Sequence, residues 1–197
     1  RQMALVSVKN HRNACFNPAA AMPMRLSVDD IFASKLIVEP YHQLDCSVLV
    51  DGAAAVVLAN EAWVQRHAKP RVYMTGSGCG TDRVRLGDRA QPDPGLAHFA
   101  AKREAARQAY AMAGITSPRR DIDVAEIADP YSGAELQAYE DLGFCERGES
   151  GKLLEAGVFD LGGDLPVNTS GGQIGQGGPP GAMGIAQAVE ILRQLRD

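Results

Sequence analysis

Apolar and polar residues alternate along this chain in several rhythms, and each rhythm predicts an element. Residues 1–45 show no clean period, and NHRNACFNPAAAMPM carries two prolines. The stretch reads as loop plus one short helix at SVDDIFASKLI, with Ser27 or Asp29 as N-cap and a break at Pro40. Residues 48–59 (VLVDGAAAVVLA) are valine-rich and small, the pattern of a fully buried strand after a turn at Asp51-Gly52. Asn60 caps a helix that runs through His67 and stops at Pro70. Residues 71–78 alternate like a second strand, and residues 83–94 read as a charged loop. Over residues 95–113, Leu96, Phe99, Ala106, Tyr110 and Ala113 fall near one helical face, with Gly114 where a C-terminal cap belongs. Residues 122–127 predict a third strand. Ser132 caps a helix over 133–142 that Gly143 ends, 146–163 reads as polar loop, and 182–195 is a last amphipathic helix. Strands alternating with helices predict an α/β layer fold.

Composition narrows the function classes. A net charge of −4 and a pI near 5.6 offer no basic surplus for nucleic acid. No apolar run reaches the roughly 18 residues of a membrane span, and 45% hydrophobic content supports a packed core rather than disorder. The four cysteines, Cys15, Cys46, Cys79 and Cys145, are far apart with no CxxC pair. They are expected to be free thiols of a cytoplasmic protein, with no metal site. His42, His67 and His98 lack metal spacing and are expected at the surface or in caps. His11 is assigned no chemistry. The first residues are too short in apolar length to be a signal peptide.

Glycine is concentrated: nine of the 21 fall between residues 162 and 184. The segment holds no GxxxxGK[ST], which excludes a P-loop. GQIGQGG nearly matches a dinucleotide fingerprint, but its strand–turn–helix context comes at the end of the chain and no acidic residue follows about 20 residues on. A glycine loop running into a helix does bring backbone close to a ligand and aims N–H groups at it. Thr169 and Ser170 are expected to hydrogen-bond backbone within this turn.

Four segments carry a family resemblance. KNHRNACFNPAA (9–20), LDCSVLVDGAAAVVLAN (44–60), DIDVAEIADPYSGAELQAYEDLGFCERGESGK (121–152) and VNTSGG followed by GGPPGAMGIAQAVEILRQLR (167–172 and 177–196) resemble, in order, the C-terminal portion of thiolases. The likeness is nearest the sterol-carrier-protein and archaeal acetoacetyl-CoA branch. It implies an α/β thiolase-like fold, with residues 1–39 as the tail of the N-terminal half and 40–197 as a C-terminal βαβαβαββ domain short of its last strands. The nucleophilic cysteine of the family would precede Arg1, and a second catalytic cysteine would follow Asp197. The resemblance further implies a CoA thioester as substrate, no tightly bound cofactor, a homo-oligomer, and in some relatives a small zinc-ribbon/OB-fold partner.

The chain departs from the family at two places. An HDCF-like motif reads Ala128-Asp129-Pro130-Tyr131, and a GHPxG motif reads Gly177-Gly178-Pro179-Pro180-Gly181. Ala128 and Gly178 thus stand where the family keeps histidines, which serve there as oxyanion donors and proton carriers. Tyr131 and Asp129 become the candidate acid/base groups. The competing expectations are that Tyr131 lines the pantetheine channel and that Asp129 caps the start of the following helix. Pro130, Tyr131, Gly177, Gly178 and Pro179 are the expected acyl-CoA pocket. The reaction implied makes or breaks a carbon–carbon bond beside a CoA thioester. Retro-aldol cleavage with a partner, or acyl-CoA binding without catalysis, remain open alternatives.

Overall fold

A computed structural model describes residues 1–67, 69–88 and 97–196. Its first element corrects the sequence reading. Gln2–Ala14 form a 13-residue helix, α1, where loop is expected. The buried face of α1 is largely polar: Ser7, Lys9, Asn10, His11 and Asn13 are buried beside Ala4, Val6 and Ala14. Polar side chains carry the helical period, so an apolar pattern does not reveal it.

Val28–Ala33 form α2, started by Ser27 in a capping box: Asp30 N donates to Ser27 Oγ at 3.2 Å and Ser27 N to Asp30 Oδ2 at 2.8 Å. The helix does not continue to residue 37. Leu36–Val38 (β1) pairs antiparallel with Tyr41–His42 (β2), the one sheet among the described residues.

The three predicted strands are extended segments without regular ladders. In 48–59 only Leu49 makes a bridge, to Gly178, and Leu49 and Val57 are 81% and 92% exposed rather than buried. Residues 122–127 contribute one parallel bridge, Ala125 to Val167, with Asn168 N donating to Ala125 O at 2.8 Å. Segment 71–78 makes none, and instead lies on a helix. Alternate residues Gly76, Gly78 and Gly80 press on the backbone carbonyls of Ala109, Ala105 and Ala101 so closely that no Cβ fits. Valine content expresses a β preference, but a strand also needs a neighbour to pair with.

The other helices follow their caps. Glu61–His67 (α3) starts at Asn60, whose Oδ1 accepts from Trp63 N at 2.9 Å. Ala100–Ala113 (α4) ends at left-handed Gly114, φ 73°. The predicted start of that helix at Gly95 and Leu96, and loop residues 89–94, lie outside the described residues. Pro118–Asp121 form α5 and Ser132–Asp141 α6, with Gly143 at φ 73° just beyond. Ser132 is not the α6 cap; it is the first helical residue, and its hydroxyl donates to Asp45 Oδ1 at 2.9 Å. Ser150–Glu155 (α7) interrupts the expected 146–163 loop, Gly172–Gln176 (α8) lies in the glycine-rich segment, and Met183–Gln194 (α9) closes the order.

Val6 of α1 shares one apolar cluster with Ile127, Tyr139, Phe144, Phe159 and Ile174. The Tyr139 and Phe159 rings stack at 3.8 Å. α1 packs on α2, α6, α7 and α8. His98 is buried rather than at the surface: its Nδ1 is 2.9 Å from Asp141 Oδ1 and its Nε2 3.6 Å from Glu140. His67 is exposed and stacks on Trp63. No helix among the described residues is long and apolar enough to cross a membrane.

Candidate functional site

One extended segment joins the two departing motifs. On one flank Cys46 bridges to Tyr131, and Ser47 N donates to Pro130 O at 3.0 Å. On the other flank Leu49 bridges to Gly178, whose N–H donates to Val48 O at 2.8 Å. Gly177 faces Val50, and Pro179 lies against Gly52. Segment 46–52 therefore gathers Pro130, Tyr131, Gly177, Gly178 and Pro179 onto one rim, although Tyr131 and Gly177 stand 46 positions apart in the sequence.

Tyr131 sits at the N-cap position of α6, 52% exposed, with its ring tilted on Tyr41 at 5.7 Å. Burial, then the Asp45 charge, pushes the Tyr41 phenol up, so Tyr41 stays protonated at neutral pH. Ala128 is exposed. A Cβ at Gly178 would meet Val48 O at 3.6 Å and Ser47 Oγ at 3.7 Å, ordinary contacts that leave the position open to a side chain. Gly177 beside it has φ 102° and no such room. Tyr41 and Ser47 are rim hydroxyls that the sequence does not single out. Tyr41 comes from a stretch without period, and its signal is absent from the chain pattern.

Asp129 is placed differently from its neighbours. It is fully buried, and it does not cap α6. Its Oδ1 accepts from Gln173 N at 2.6 Å and its Oδ2 from Ile174 N at 3.2 Å, so it caps α8, across the molecule in sequence. Oδ2 also accepts from Asn10 Nδ2 at 2.8 Å. Burial, then the Glu135 charge, raises the Asp129 carboxyl well above its ordinary value, against the pull of the α8 amides and Lys9.

The network continues inward. Lys9 Nζ lies 3.0 Å from Glu135 Oε1 and donates to Val167 O at 2.7 Å. Glu135 also accepts from Asn10 Nδ2 at 2.7 Å, from Asn168 Nδ2 at 2.6 Å and from the Tyr139 hydroxyl. Asn168 has φ 54°, a conformation asparagine tolerates, and its Oδ1 takes the Ile127 amide at 2.8 Å. Ser170 Oγ accepts from Gly172 N at 3.2 Å within the turn, as expected, and the Thr169 and Ser170 hydroxyls donate to the Glu126 carboxylate at 2.9 and 2.6 Å. Lys9, Asn10, Glu135 and Asn168 are polar core residues that the sequence reading passes over.

All four cysteines are free. Burial and Asp45 push the Cys46 thiol up, and burial lifts Cys145 to about 12, so neither offers a thiolate at neutral pH. The described residues hold no cluster of His, Cys, Asp and Glu fit for a metal. What the rim presents is hydroxyl and backbone groups around two positions, 128 and 178, that carry no proton-moving side chain.

This fold and rim define a thiolase-like protein. The thiolase C-terminal domain-like family matches residues 89–197, and the chain belongs to it. It is 42% identical over 195 residues to the acetyl-CoA acetyltransferase of Methanothermobacter thermautotrophicus, covering 99% of this chain and 49% of that protein. It is 38% identical over 195 residues to sterol carrier protein 2 of Bos taurus, covering 98% of this chain and 35% of that protein. Among solved structures, an Ltp2–ChsH2(DUF35) aldolase matches with a TM-score of 0.83 at 26% identity, over 99% of this chain and 50% of that one. The chain thus spans about half the length, or less, of these relatives. The regular sheet expected of an α/β layer is reduced here to one hairpin and isolated bridges, while the thiolase-like architecture holds.

Proposed function

We propose that this chain supplies the C-terminal half of a site that makes or breaks a carbon–carbon bond beside a CoA thioester. The carrying observation is the junction at segment 46–52, which sets exposed Tyr131 on the same rim as Gly177, Gly178 and Pro179. The 42% identical acetyl-CoA acetyltransferase supports the acyl-CoA class. Tyr131 is the acid/base group: its phenol donates a proton to the developing substrate oxyanion and takes it back in the reverse direction. The Tyr41 ring beside it fixes its approach, and Ser47 and the backbone of 177–178 line the thioester path. Asp129, buried and saturated, holds the turn rather than the substrate. A nucleophilic cysteine comes from outside this chain, the enzyme is a cytoplasmic homo-oligomer, and no tightly bound cofactor takes part.

The likeness to a two-component aldolase favours a second reading, retro-aldol cleavage with a small zinc-ribbon/OB-fold partner. The test is Tyr131→Phe in the protein that carries this chain. Turnover of acetoacetyl-CoA or of a β-hydroxyacyl-CoA falls by about 10²–10⁴, while acetyl-CoA binding changes by less than about threefold, a small free-energy difference. The substrate that turns over separates acyl transfer from cleavage. Unchanged turnover returns Tyr131 to a lining role, and binding without turnover of either substrate by the parent protein leaves an acyl-CoA-binding homologue.

A further inference from the structure

We propose that Asn10 is the positioning residue of this rim: one side-chain amide, reaching from α1, holds both motif turns in place at once. The proposal rests on the reading above for why those turns matter, and on the hydrogen bonds for the rest. Asn10 Nδ2 carries two hydrogens and meets two carboxylates, Asp129 Oδ2 at 2.8 Å and Glu135 Oε2 at 2.7 Å. Its Oδ1 accepts from Lys9 Nζ at 2.5 Å. This pattern fixes the amide orientation, because a flipped group would turn its oxygen toward two carboxylates and its N–H groups toward an ammonium.

Asp129 passes the constraint in two directions. Along the chain it is bonded to Ala128 and Pro130, so its position sets where Ala128 and Tyr131 stand. Through space it binds the Gln173 and Ile174 amides, the first turn of α8. Gly177 N then closes on Gln173 O at 3.1 Å, and Gly178 follows. The Asn10 backbone presses on Gly175 of the same helix so closely that a Cβ there would sit 2.6 Å from Asn10 O. Asn10 thus touches α8 directly and steers it through Asp129, while Glu135 anchors the arrangement to α6. An apolar side chain of equal volume would fill the space and leave both carboxylates without this donor.

An exchange of donor and acceptor tests the idea. Asn10→Asp removes the donor, and Asp129→Asn sets a second amide against the first. The double variant Asn10→Asp/Asp129→Asn keeps the net charge and reverses the hydrogen bond between the two positions; like Asn10→Asp it leaves Glu135 without the Asn10 donor, so it is read against that single variant. The readouts are the ¹⁵N–¹H resonances of Gln173, Gly177 and Gly178 in the 197-residue chain, and its titration with acetyl-CoA. Each single variant shifts the Gly177 and Gly178 resonances and weakens acetyl-CoA binding about tenfold, the loss of one charge-assisted hydrogen bond. The double variant returns both toward the parent values. Unmoved glycine resonances in a folded single variant overturn the proposal, as does a double variant no nearer the parent than Asn10→Asp. If a single variant does not fold, urea midpoints decide: the double must be more stable than Asn10→Asp, and a double no more stable sinks the idea. If the parent chain binds no acetyl-CoA, the acyl-CoA reading falls for this chain, while the resonances still judge Asn10.

Discussion

Lys9 and Glu135 meet at 3.0 Å with side chains only 2% and 0% exposed, and no water-screened surface pair resembles them energetically. Removing one partner of such a pair leaves a buried charge without compensation, which costs about 3–5 kcal/mol. Lys9→Met is therefore expected to lower the urea-derived unfolding free energy by that amount, and a loss below about 1 kcal/mol, as for an exposed pair, contradicts it. His11, one residue beyond Asn10, behaves differently. Burial holds its imidazole below the ordinary value, outweighing the Met22 and Leu44 carbonyls, and its Nδ1 lies 2.8 Å from Met22 O. The unfolded chain then binds a proton more readily than the folded one. The His11 contribution is complete above about pH 6.5 and is lost as pH falls through the lowered value. Measured from about pH 7 to about pH 5, the stability advantage of the parent over His11→Gln should shrink. A difference that stays constant with pH argues for a His11 that titrates normally.

Helices and turns show how closely neighbouring positions can differ in tolerance. Gly177 has φ 102° and faces Val50, with a Cβ placed 2.9 Å from Val50 Cγ2; Gly178 has ordinary φ and open contacts. Gly177→Ala should cost about 1–3 kcal/mol in unfolding free energy, and Gly178→Ala less than about 1 kcal/mol, the scale of a substitution away from strain. Equal costs would mean that the two backbones are not held as described. The same contrast marks what the chain pattern reveals. Caps that act within a few residues were legible: Ser27 and Asn60 start helices, and Gly114 and Gly143 follow their ends. Elements whose logic is remote were not. α1 buries amides and a lysine for partners 119 to 158 residues away, and no local window contains those partners. Residues 71–78 alternate as a strand does, yet the alternation serves contact with α4 through glycine. For the site, motif likeness located Tyr131 and Gly178, whereas Tyr41, Ser47 and Asn10 emerge only when segment 46–52 and α1 fold against them.

At the scale of the whole molecule, α1 is the common wall of the fold, packed on α2, α6, α7 and α8. It also supplies the Lys9 ammonium that meets Glu135 and the Asn10 amide that meets both Glu135 and Asp129. A chain without residues 1–14 is expected to lose cooperative urea unfolding and near-ultraviolet circular dichroism, since two buried carboxylates would lose the Lys9 charge and the Asn10 amide that bridges them. A sharp transition with a native spectrum in that shortened chain would refute this.

Ala128 and Gly178 each stand directly beside a residue the fold cannot give up, Asp129 in one turn and Gly177 in the other. Framework and chemistry are thereby interleaved one residue apart but remain independent. A side chain exchanged at exposed 128, or added at 178 where a Cβ makes only ordinary contacts, leaves the neighbouring framework residue its own partners.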